Sequence, residues 1–245
     1  MKILILQNRM GIGDMIMFLP FIEAISKKFK TPVTILAKKN TKVEMYFNNK
    51  EIVEEIMYLE REDNKKHSGV KGFFKLVNEL KLKKFDKVFI FNSSLRYFLI
   101  SKFSGIKEVF HYPLFKKKNQ QIIEAAKEFT LKSIGEDVES TPRLFLKEQD
   151  ILKAKKDHSI DQSITNIILG IGGSGKTKRV PASIFKSFMS KVLKRSNCRF
   201  FLMTGNNIDE LKIMDEIIES EYKEYCTPLN NFTIKEILPI IPNCQ

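Results

Sequence analysis

Residues 2–29 read KILILQNRMGIGDMIMFLPFIEAISKKF. The apolar run at 2–6, rich in isoleucine and leucine, predicts a short buried strand. It stops at Gln7-Asn8-Arg9 and turns through Gly11 and Gly13. From Asp14 onward Ile16, Leu19, Ile22, Ile25 and Phe29 recur with the period of a helix that has one apolar face. Asp14 suits the N-cap of that helix, and Pro20 inside it predicts a kink or an early break. A strand, a glycine turn and a helix in that order open a parallel α/β sheet.

The alternation continues outward from this unit. Strands are predicted at 32–36, 52–59, 87–91 and 109–111, and helices at 41–47, 69–82 and 94–103. Short strands separated by helices mean a parallel sheet with crossover helices on its faces. After Pro113 come a basic turn, LFKKKNQ, a helix at 120–134, a short strand within GEDVESTPRLFL and a charged helix at 147–156. The polar segment DHSIDQSIT at 157–165 marks a domain boundary, giving a first domain at 1–160 and a second at 161–245.

In the second domain the rhythm restarts. A strand at 167–171, a glycine loop, a helix with Pro181 at its first position, a strand at 199–203 and a helix at 208–219 follow in turn. A short strand at 224–227 and a helix at 233–241 close the sequence, with Thr233 and Glu236 spaced as a capping box. Two or three strands fall below the roughly five or six of an average sheet, so this domain is expected to be incomplete.

Composition bounds the function. The 245 residues carry 42 Lys and Arg against 29 Asp and Glu, a net charge of +13, with 43% hydrophobic residues, the balance of a folded chain. Such a charge concentrates phosphorylated ligands, nucleic acid or an anionic bilayer alike near the protein. Cys198, Cys226 and Cys244 have no CxxC spacing, so neither a disulfide framework nor a metal site is expected. The longest stretch without a charged residue, 162–175, is too short and polar to span a bilayer. With no signal-peptide pattern at the start, the expected location is the cytoplasm.

Two loops carry the chemistry. The first, at 8–14, sits where a first strand meets its helix, the edge at which open α/β sheets place ligands. Gly11 and Gly13 permit close backbone approach, but Ile16 stands where a dinucleotide fingerprint needs its third glycine. Asp14 suits either a helix cap or a general base held by the backbone. The second loop, GIGGSGKTKRVP at 170–181, matches the phosphate-loop expression GxxxxGK[ST] through Thr177. A helix starting at Lys176 would, however, hold Pro181 in its interior, where it breaks a hydrogen bond. Without that label the loop still offers glycine N–H groups with Lys176, Lys178 and Arg179 just before a helix, a setting for a diphosphate or for a solvated basic turn. Past the next strand, Gly205 is followed by Asp209 and Glu210, placed to interact with a helix N-terminus or to accept from ribose hydroxyls.

Three motifs together, KILILQNRMGIGDMIMFLPFIEAI, GGSGKTKRVPASIF and FFLMTGNNIDELKIMDEI, resemble the heptosyltransferase family, glycosyltransferases that add heptose from ADP-heptose to the lipopolysaccharide inner core. The resemblance runs from Met1 to Gln245, and between 41 and 165 it holds only in rhythm. It implies two Rossmann-like domains of the GT-B type, the second one truncated. It also implies an inverting transfer, with Asp14 as general base and Arg9, Gly11 and Gly13 forming the acceptor-side loop. Lys178, with Gly172, Gly173, Ser174 and Thr177, would hold the donor diphosphate, and Gly205, Asp209 and Glu210 the nucleoside.

The implied co-substrate is a nucleotide sugar such as ADP-heptose, with no further cofactor. The acceptor is a lipid-linked or other glycan met at the inner face of the cytoplasmic membrane, and nucleic acid is not expected as a partner. Val180 departs from the family's tryptophan, and the family's Asp-Ser-Gly-x-x-His motif has no counterpart before Gln245. A different nucleotide-sugar donor, a non-catalytic binding or assembly protein, and a phosphate-loop nucleotide-binding protein are the competing readings.

Overall fold

The computed structural model describes residues 1–9, 11–47, 49–114, 120–173 and 178–244. The chain divides into two compact units, Met1–Leu144 and Phe145–Gln245.

The first unit is built on a five-stranded, all-parallel sheet in the order β3-β2-β1-β4-β5. Its strands are β1 (Ile3–Gln7), β2 (Val33–Ala37), β3 (Val53–Tyr58), β4 (Lys87–Ile90) and β5 (Glu108–His111). The helices are α1 (Ile12–Phe29), α2 (Gly69–Lys83), α3 (Leu95–Phe103) and α4 (Ile122–Ile134). Side chains alternate between the two faces of the strands, as the period of two requires. Leu4, Leu6, Val88 and Ile90 join Leu76, Leu80, Tyr97 and Ile100 of α2 and α3 in one cluster. On the opposite face Phe89 and Phe91 meet Phe18 and Phe29 of α1 and Phe129 of α4 in edge-on or tilted ring contacts.

Helix α1 departs from the sequence reading twice. It begins at Ile12 with Gly11 at the N-cap, so Asp14 sits within the first turn rather than at the cap. It also runs on past Pro20 as one 18-residue helix. The proline costs about 3 kcal/mol in a helix interior. Phe18, Leu19, Phe21, Ile22 and Ile25 are fully buried on either side of it, each contributing roughly 1.5–3 kcal/mol, and burial wins. Further on, 41–47 forms two short 3-10 turns, Lys39–Thr41 and Val43–Met45, instead of a helix. Among the described residues no strand forms between 135 and 146.

The second unit holds α5 (Glu148–Asp157), β6 (Thr165–Gly170), α6 (Ala182–Leu193), β7 (Cys198–Met203), α7 (Ile208–Ile218), β8 (Cys226–Leu229) and α8 (Ile234–Ile237). Its strands pair in parallel in the order β6-β7-β8. Phe200 and Leu202 pack with Phe185, Met189 and Met214 of α6 and α7, while Phe201 joins Ala154, Ile160, Leu229 and Ile240. That second cluster corrects the boundary expected at 160/161: α5 packs with the strands that follow it, so the division falls after Leu144. Pro181 is the N-cap of α6 and not its first helical residue. The capping box forms at α8, where Glu236 accepts from the Thr233 N–H at 2.7 Å. No helix among the described residues is long and apolar enough to cross a membrane.

Candidate functional site

In the first sheet the strand order reverses between β1 and β4, and the crevice outside the carboxyl ends of those strands is where such sheets bind ligands. At this point the Asn92 Nδ2 group donates to Asn8 Oδ1 at 3.2 Å, tying the two strand ends together. Gln7 is fully buried, and its Oε1 accepts from the Arg9 N–H at 2.5 Å. Its Nε2 has no partner among the described residues. Gly11 turns the chain into α1 at φ 103 and ψ 158, a conformation that is essentially confined to glycine. Asp14, partly exposed, lies in the first turn of α1, where the N–H groups have no partner within the helix.

Next to this edge lies a cavity of about 890 Å³, whose walls include Arg9, Phe18, Ser93, Tyr112, Phe129 and Lys132. Arg9 is the acceptor-side residue that reaches it; Gly11, Gly13 and Asp14 do not line it. Burial pushes the Tyr112 hydroxyl well above the usual tyrosine range, against the opposing charge of Arg9.

Two cations elsewhere in the first unit, one on α3 and one in the segment after β3, escape sequence reading. The Arg96 guanidinium is fixed by the carbonyls of His67 and Gly69, at 3.0 and 2.8 Å. Arg61 lies over the Tyr97 ring, 5.8 Å from its centre. Burial, and then the like charge of Arg61, pull Arg96 below its ordinary value. The pair comes together because the segment after β3 folds back toward α3. No local pattern in sequence signals that.

In the second unit two loops meet at the carboxyl ends of β6 and β7. Ser174 and Thr177, with Gly175 and Lys176, lie outside the described residues. Gly172 and Gly173 follow β6, and Lys178 is exposed shortly before α6. The residue that joins the loops is Glu210, buried in the first turn of α7. Its Oε1 accepts from the Gly173 N–H and its Oε2 from the Gly205 N–H, both at 3.0 Å. Arg179 Nη1 donates to Asp209 Oδ2 at 2.6 Å, and Arg179 Nε lies 3.9 Å from Glu210 Oε1.

Within the second unit, then, the Gly173 N–H bonds to Glu210, Asp209 pairs with Arg179, and Glu210 bonds to both glycine loops. Helix α6 starts at Ala182, directly after Pro181.

The class the fold defines is α/β with two Rossmann-like units, as in the GT-B glycosyltransferases. No protein-family profile matches the chain, and no curated protein does. Among solved structures, it is similar to the ADP-heptose lipopolysaccharide heptosyltransferase II of E. coli, at 17% identity and TM-score 0.69, covering 100% of this chain and 77% of that one. A glycosyl transferase family 9 protein of Veillonella parvula follows at 16% and 0.71, covering 99% and 73%. The UDP-GlcNAc 2-epimerase of Neisseria meningitidis matches at 13% and 0.53, covering 100% and 76%. The likeness bears out the expected α/β architecture of two Rossmann-like units of the GT-B type.

Proposed function

We propose that this protein is an inverting glycosyltransferase that moves a heptose or related sugar from a nucleotide sugar, such as ADP-heptose, to a lipid-linked or other glycan acceptor. The observation that carries the reading is Asp14, set in the first turn of α1 at the point where the strand order of the first sheet reverses. A carboxylate there is oriented by the helix start and near the ligand edge, as a general base must be. It takes the proton of an acceptor hydroxyl while that oxygen attacks the anomeric carbon. The bond from that carbon to the diphosphate breaks with inversion, and the nucleoside diphosphate leaves with the bonding electrons. Lys178 meets the negative charge that grows on the leaving group.

Arg9, which lines the cavity, favours an acceptor that carries anionic groups. With a net charge of +13, the protein would work at the inner face of the cytoplasmic membrane.

The test is Asp14→Asn, assayed as release of ADP from ADP-heptose in the presence of a lipopolysaccharide inner-core acceptor. Turnover should fall by about a hundred-fold or more, the usual share of a general base, with melting temperature and ADP affinity unchanged. Unchanged turnover would leave Asp14 as a first-turn residue of α1 and remove the mechanism.

A further inference from the structure

We infer that Glu210 is a positioning residue: its carboxylate holds the two glycine loops of the second unit to each other and sets the shape that receives the nucleotide. The second half of this inference rests on the donor reading above; the first does not.

Both carboxylate oxygens already have backbone partners, and those partners belong to different βα loops. Gly173 lies 37 residues before Glu210, and Gly205 five residues before it. The glycines are sized to this carboxylate. A Cβ on Gly172 would come within 3.1 Å of Glu210 Oε2, and one on Gly205 within 3.2 Å. A Cβ on Gly173 would press on the Lys178 carbonyl at 3.0 Å, so the same loop packs against the backbone of the lysine proposed for the diphosphate. A buried carboxylate is costly unless a cation compensates it. Arg179, whose side chain is 13% exposed, supplies that charge while bridging to Asp209. Glu210 therefore acts on a bound nucleotide through the loops it fixes.

The experiment is an NMR pH titration of the full 245-residue chain without nucleotide, following the amide resonances of Gly173 and Gly205. One carboxylate accepts from both, so both should respond together, with one midpoint, when that carboxylate is protonated. The curve should persist in Asp209→Asn, which removes the other carboxylate on Arg179, and vanish in Glu210→Gln. Calorimetric titration with ADP is run beside it. A glutamine has one acceptor oxygen and a donating amide, so it can satisfy only one of the two glycine N–H groups, although it still offers a ribose hydroxyl an acceptor. ADP affinity should drop roughly ten-fold.

Separate midpoints, or amides indifferent to pH, overturn the inference, and no variant has to fold for that result to be read. A Glu210→Gln chain that binds ADP like the parent overturns its second half. A parent that gives the shared curve and binds no ADP supports the strut and contradicts the donor reading.

Discussion

Both units place glycines between a parallel strand and a helix, yet the glycines answer different physical needs. Gly11 is required by its backbone: φ is 103, and a Cβ there would meet nothing within 4 Å. Gly172 and Gly205 have no such dihedral requirement and are instead tight on volume, because a Cβ there would come within 3.1 and 3.2 Å of the Glu210 carboxylate. A glycine-rich loop in sequence therefore does not by itself signal a cradle for an external phosphate. In the first unit no side chain among the described residues caps the start of α1, and in the second the chain supplies its own anion.

The contrast can be broken by substitution. The largest effect is expected away from both loops, at Gly72 of α2, where a Cβ would fall 2.2 Å from the His67 backbone. Gly72→Ala should destabilise the first unit by about 3 kcal/mol, read as faster hydrogen exchange in α2 and α3 with the β6-β7-β8 amides unchanged. Gly11→Ala should cost about 1–3 kcal/mol through backbone strain, and no second substitution should restore it. Gly205→Ala should cost about 1 kcal/mol and be non-additive with Glu210→Ala, since truncating Glu210 removes the atom the new Cβ would press on. Additive effects in that double-mutant cycle would deny that Gly205 is there to make room for Glu210.

The smallest effect concerns acid stability. Burial raises the Glu79 carboxyl, but hydrogen bonds from Lys66 and His67 outweigh it and leave the group below the ordinary glutamate value. The imidazole is oriented for this: Nδ1 accepts from the Glu60 N–H at 3.0 Å, so Nε2 carries the proton toward Glu79 at 3.1 Å. A depressed carboxylate stabilises the fold fully above the unfolded glutamate value and loses that contribution as pH falls through the folded one. Glu79→Gln should lower stability at neutral pH by less than about 1 kcal/mol and flatten the acid limb of the melting profile.

Local chemistry made much of this legible. The β1 to α1 unit follows from an apolar run, two glycines and a helical period, and the capping box at Thr233 and Glu236 from a three-residue spacing. What escaped is nonlocal. Asp14 suited an N-cap until the conformation of Gly11 moved the helix start to Ile12. In α2 Phe74 is 58% exposed while Leu76 is buried, because the face of α2 is chosen by α3 and the sheet. The tie from Glu210 to Gly173 joins two loops with a helix and a strand between them, and no periodicity announces it. The same holds for Arg61 beside Arg96.

The central claim, that the second unit takes a nucleotide sugar, is tested most directly by calorimetric titration of the 245-residue chain with ADP, with and without magnesium. One saturable site is expected that does not need the metal. Asp14→Asn should leave it unaltered, and Lys178→Ala should weaken it by about 1.5–3 kcal/mol, the worth of a charged hydrogen bond. Binding that depends on magnesium and is abolished by Lys176→Ala but not by Lys178→Ala would contradict the account in favour of a phosphate-loop protein, and a chain that binds no ADP would contradict it outright.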